Sequence, residues 1–199
     1  MTSKKTYFKT SLVLILLVII LMVFLSDTTG CCGYRKFTLR NAPTKCSFEY
    51  PSSFTRPSVN RDNYSTSITA ERPVKKPPRN AFHVTVRKID DYLPDSRTLL
   101  EYDLLSAGKN QNIGEFELKD RSSTTVDGVP GEQIAFVNHF SSEYPDVMGK
   151  YKRIPILSYK AYFEKNGFLW DIAVVSDPIL ATQTKADFEH ILQSFKFLD

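Results

Sequence analysis

Ser158-Tyr159-Lys160-Ala161-Tyr162-Phe163-Glu164-Lys165, then Asn166-Gly167, then Phe168-Leu169-Trp170-Asp171-Ile172-Ala173-Val174-Val175, is the stretch whose reading decides the fold. Two aromatic, β-prone runs flank an Asn-Gly pair, and that pair accepts the positive φ angles that a two-residue hairpin demands. Past Asp177-Pro178 the period changes. Phe188, Ile191, Leu192 and Phe195 fall at i, i+3, i+4 and i+7, one face of an amphipathic helix that must lie on the sheet. A hairpin closed by a covering helix predicts an α+β domain.

Working outward, Ala81 to Ile89 reads as a strand with Phe82, Val84 and Val86 on one face and His83, Thr85 and Arg87 on the other, so His83 is expected on the solvent side. Cys46 to Pro51 reads as the first strand of the domain, ended by a proline that has no N–H for a ladder. Tyr64 to Glu71 is a more polar strand. Asp95-Ser96 offers a helix N-cap, followed by Leu99, Leu100, Leu104 and Leu105 as an apolar face, with Glu101 and Asp103 expected outward. Ile113 to Val126 and Glu132 to Phe140 form a second hairpin around a turn at Asp127 to Gly131. Residues 141–155 read as a charged loop.

The chain of 199 residues holds one anchor segment and one domain large enough to bury a core. Its net charge of +4 comes from 26 basic and 22 acidic residues. Lys4, Lys5 and Lys9 precede the apolar run Leu12 to Leu25 and no acid does, so the basicity belongs to a topogenic signal and nucleic acid is not an expected partner. Fourteen apolar residues are short for a membrane span of about 20 and sit at the upper end of a signal-peptide core of about 7–15. Either way the remainder is expected outside the cytoplasmic membrane. Residues 1–30 are therefore read as a hydrophobic helix acting as membrane anchor or signal segment, 31–45 as a tether and 46–199 as the domain.

Thr28-Thr29-Gly30-Cys31 resembles the bacterial lipobox, with Thr28 where leucine is usual. Cys31 is the candidate lipidation site, and an uncleaved anchor is the alternative. Cys32 and Cys46 then remain as a candidate disulfide or as unpaired thiols.

Motifs for chemistry are sparse. The sequence has no G-x-G-x-x-G, P-loop, G-x-S-x-G or H-E-x-x-H, and His83, His139 and His190 lie on different elements. No cofactor and no metal site is expected. Candidate partner contacts are His83 and the cations Lys75, Lys76 and Arg79 of the stiff Pro-rich stretch 72–79. A rival reading is an envelope hydrolase built on His139 with loop carboxylates Glu143 or Asp146, and another is a small-ligand carrier with an apolar cavity under its helices.

Phe48-Glu49-Tyr50-Pro51-Ser52-Ser53-Phe54 resembles the opening strand of PsbP-like domains, and Tyr159 to Trp170 resembles their last hairpin. Phe188-Glu189-His190-Ile191-Leu192-Gln193-Ser194-Phe195-Lys196-Phe197 is similar to their closing helix. The resemblance covers roughly Cys46 to Leu198. It implies an α/β/α sandwich around a central antiparallel sheet, as in photosystem II extrinsic subunits and bacterial lipoproteins of the DcrB type, and an accessory or binding role without catalysis. The resulting expectation is a membrane-tethered, extracytoplasmic, non-catalytic protein that binds a protein or envelope partner.

Overall fold

A computed structural model describes residues 33–40, 44–73, 80–109, 113–145 and 151–198. The elements run β1 (Tyr34–Leu39), β2 (Lys45–Pro51), β3 (Ser58–Arg61), β4 (Ser65–Arg72), β5 (Asn80–Lys88), α1 (Ser96–Lys109), β6 (Ile113–Val126), β7 (Val129–Pro145), β8 (Tyr151–Lys165), β9 (Phe168–Ser176), α2 (Ala181–Ser194) and β10 (Lys196–Leu198). Seven strands form one antiparallel sheet in the order β3-β4-β5-β9-β8-β7-β6. A second, three-stranded antiparallel sheet has the order β1-β2-β10.

The decisive hairpin forms as its residues require. Asn166 and Gly167 take φ of 54° and 77°, and Lys165 pairs with Phe168 across them. Asp127 and Gly128 repeat the geometry at 49° and 79°, so the second turn is two residues long and Val129 already belongs to β7. Gly131 follows for a different reason: a Cβ there meets the Tyr162 carbonyl oxygen of β8, closer than a side chain tolerates.

Strand alternation then splits the core in two. Phe82, Val84, Trp170, Ile172 and Phe163 face α2, whose Phe188, Ile191 and Leu192 are buried on them together with Phe195. Each such large side chain, fully withdrawn from water, stabilises the fold by roughly 1.5–3 kcal/mol. Phe48 of β2 stacks on Phe195 at 5.8 Å, which fastens the small sheet to the same layer. On the other face Leu99 and Leu100 of α1 bury against Ile134, Phe136, Tyr162 and Leu169. The Asp95 side chain caps α1 by accepting from the Thr98 N–H at 2.6 Å. The order is thus α1, large sheet, then α2 with the small sheet.

Three expectations change. Residues 34–39, read as tether, are strand β1, because Phe37 lies opposite Phe48 and Leu39 opposite Cys46 on β2. Residues 141–145 and 151–155, read as loop, continue β7 and β8, with Ser141 opposite Arg153 and, after a shift of register, Pro145 opposite Tyr151. Ladder pairing satisfies the backbone there without needing apolar alternation. Asp103 faces the sheet and Leu105 is 56% exposed. The expected N-terminal hydrophobic helix and the membrane segment Leu12 to Leu25 lie outside the described residues, as do Cys31 and Cys32. No helix among the described residues is long and apolar enough to cross a membrane.

Candidate functional site

β5 presents its apolar side to α2, which leaves His83, Thr85 and Arg87 on the opposite face. The ladder carries each residue sideways. Thr69, His83, Ala173 and Lys160 form one row across β4, β5, β9 and β8, and Ser67, Thr85, Asp171 and Tyr162 form the next. α1 packs on β6, β7 and β8. At its border the polar residues of both rows stay half-buried, except Tyr162, which is fully enclosed.

Asp103 reaches from α1 into these rows. Its Oδ2 accepts from Lys160 Nζ at 2.5 Å and from the Tyr162 hydroxyl at 2.8 Å. Burial works against the Lys160 ammonium, but the neighbouring Asp171 and Asp103 carboxylates outweigh it and raise its pKa above the ordinary value. Burial, reinforced by the same two carboxylates, also pushes the Tyr162 phenol up.

Asp171 Oδ1 is sealed from solvent and meets no hydrogen-bond partner. Burial raises the Asp171 carboxyl above the usual range, Lys160 and Arg87 oppose that shift, and Asp103 adds to it. His83 Nδ1 shares a 3.2 Å hydrogen bond with Thr69 Oγ1. Burial and the Lys160 charge hold its imidazole below the ordinary value, against a smaller pull from Glu71. His83 is therefore neutral near neutral pH, one ring nitrogen able to donate and the other to accept. An ammonium held charged is a poor nucleophile, and the rows set hydrogen-bond donors and acceptors side by side at ladder spacing.

Searches by sequence find no matching family model and no match among curated proteins. Solved structures do match. The solution structure of cyanobacterial PsbP (CyanoP) from Synechocystis sp. PCC 6803 superposes with a TM-score of 0.53 at 12% identity, covering 85% of this chain and 95% of that one. LpqN of Mycobacterium tuberculosis, described as involved in cell envelope biogenesis, gives 0.52 at 13% identity over 83% of this chain and 92% of its own. The fold is PsbP-like. At these identities the likeness is one of architecture.

Within the PsbP-like domain the other candidates separate. Lys75, Lys76 and Arg79 lie outside the described residues. Arg72, at the root of their stretch, is a packing residue: it pairs with buried Asp187 at 3.3 Å and lies 5.0 Å from the Phe54 ring centre. Cys46 is a free, fully buried thiol whose pKa burial pushes up to about 12. His139 sits on β7 opposite Pro155, and Asp146 lies outside the described residues. A hollow of about 330 Å³ beside α2 has a mixed lining, with Lys119, Asp120, Gln133, Lys185 and Glu189 beside Ile134, Ala135, Tyr159 and Phe188. Among the described residues no group of three or more His, Cys, Asp or Glu is placed to hold a metal.

The sequence pattern missed the Asp103, Lys160, Tyr162 and Asp171 cluster, although signals for it existed. Asp103 stands four residues after Leu99 and three after Leu100, hence on the helix face that packs. Asp171 alternates with Trp170 and Ile172 but shares its face with Leu169 and Ala173.

Proposed function

We propose that this chain is a membrane-tethered, extracytoplasmic accessory protein whose PsbP-like domain binds a protein or envelope partner through the half-covered polar face around His83, and that it performs no chemistry. The observation that carries the reading is the asymmetry of that face. α1 is fastened over one part of it by Asp103, while Thr69, His83 and Thr85 remain at the border as an ordered, partly exposed set of donors and acceptors. Polar groups held at ladder spacing are preorganised for a complementary surface, because little conformational entropy remains to be lost on binding.

The leader supports the location: its lysines, its apolar run and the Gly30-Cys31 step all favour export. LpqN, with which the fold is shared, carries a role in envelope biogenesis in its description, and an envelope setting suits the same leader. The charged Lys160 favours binding over nucleophilic chemistry.

The test places a photo-crosslinking residue at Ser67, on the open face, and at Ser123, on edge strand β6, in protein expressed in its own membranes. The reading expects one discrete adduct from position 67, identified by mass spectrometry, and none of it from position 123. Equal adducts from both positions, or none from 67, contradict it.

A further inference from the structure

Two turns of the same build contribute to one open hollow. After β3, Asp62 Oδ1 accepts from the Tyr64 and Ser65 N–H groups at 2.7 and 2.6 Å. After β5, Asp90 Oδ1 accepts from the Tyr92 and Leu93 N–H groups at 3.0 and 2.9 Å. Each turn holds a tyrosine out to solvent, Tyr64 at 79% and Tyr92 at 90% exposure. The Lys88 N–H donates to the Tyr64 carbonyl at 3.4 Å, which ties the first turn to the strand that leads into the second. Residues of both turns line a hollow of about 640 Å³, Asp62, Tyr64, Arg87, Lys88, Asp90 and Leu93 among them.

The charges on these walls are unequally engaged. Asp62 Oδ2 accepts the Ser65 hydroxyl at 3.0 Å, so both oxygens of that carboxylate work inside their own turn. Arg87 and Lys88 are exposed and belong to no ion pair among the described residues; Arg87 feels the Asp62 and Asp171 charges without pairing with either. A third cation, Arg61, lines an adjoining hollow that shares Tyr64 and Lys88. Arginine and tyrosine are the side chains that most often carry binding energy at protein interfaces, and a guanidinium meets a carboxylate through two parallel hydrogen bonds. Ile89 and Leu93, half-buried against the cluster under α1, add an apolar wall. Arg87 lies on the same side of β5 as His83 and Thr85, so the hollow sits at one end of the open face.

We propose that this hollow docks an acidic segment of a protein partner, its carboxylates met by Arg87 and Lys88 and its neighbouring side chains by Tyr64. The inference rests on the open-face reading and adds the chemistry of what binds there. A lipid phosphate would use the cations and leave Tyr64, Ile89 and Leu93 without a role.

The experiment places a photo-crosslinking residue at Asn63, on the wall of the hollow, in the full chain in its own membranes, and maps the crosslinked peptide by mass spectrometry. The expected product is a peptide of one protein in which Asp and Glu outnumber Lys and Arg. Its yield is expected to fall about tenfold when Arg87→Gln and Lys88→Gln are combined, and about tenfold in Tyr64→Ala, which decides the matter where the double variant perturbs the fold. A neutral or basic peptide, a lipid adduct, no adduct, or a yield unchanged by these substitutions overturns the inference. The adduct from position 67 separates the two readings. If it persists while position 63 fails, the open face stands and the acidic segment falls; if both fail, both fall.

Discussion

Lys160 Nζ on β8 lies 2.5 Å from Asp103 Oδ2 on α1, and the Tyr162 hydroxyl donates to the same oxygen at 2.8 Å. The pair ties α1 to the sheet, and it does so half-buried, with side-chain exposures of 20% and 23%. Removing Asp103 leaves an ammonium and a phenol facing a void. Asp103→Ala is expected to lower unfolding stability by about 1–3 kcal/mol, read by urea denaturation, with the loss of hydrogen-exchange protection concentrated in α1. An unchanged midpoint and unchanged α1 protection contradict this role.

His83 makes the pH dependence specific. Its folded pKa is held below the ordinary value of 6.5. A depressed pKa means that the unfolded chain binds the proton more readily, so the stability tied to neutral His83 is present above 6.5 and lost as pH falls through the folded value. Asp171 has the opposite sign. Its raised carboxyl favours the folded state below the ordinary carboxylate value of 3.8, and that contribution is lost as pH rises through the folded value. His83→Gln is expected to flatten the stability profile between about pH 7 and pH 5, measured as thermal midpoints across that range. A profile as steep as the wild type's contradicts the assignment.

Gly131 tests the packing of β7 on β8. A Cβ at this position meets the Tyr162 carbonyl oxygen and lies 2.9 Å from Phe163 Cβ. Gly131→Ala is expected to cost about 1–3 kcal/mol by forcing two strands apart. At Gly128 the space is open and only the φ of +79° opposes a side chain, so Gly128→Asn is expected to be milder. Denaturation midpoints rank the two, and the reverse ranking contradicts the account.

Cys46 is expected to be inert while the chain is folded. The thiol is fully buried, and its pKa of about 12 leaves almost no thiolate near neutral pH. Alkylation by iodoacetamide, followed at Cys46 by peptide mapping, should proceed only at the rate of unfolding. Rapid labelling of the native protein contradicts the buried position.

What could be read from the residues follows from how local each signal is. The Asn166-Gly167 turn, the Phe188 to Phe195 helix face and the β5 alternation are fixed by neighbours in sequence, and the structure places all three as expected. β1 and the far ends of β7 and β8 carry no period of their own. They exist because a partner strand satisfies their backbone, a fact held by distant residues such as Phe48 and Ser141. The polar cluster escaped for the same reason, since Asp103 and Lys160 are 57 positions apart in the chain.

The most direct test of a tethered domain facing outward is protease treatment of sealed, right-side-out membrane vesicles. The account predicts that the chain sediments with the vesicles and that its PsbP-like domain is digested without any detergent. A domain that stays protected until detergent is added, or a chain that never sediments with the vesicles and keeps residues 1–30, would contradict it.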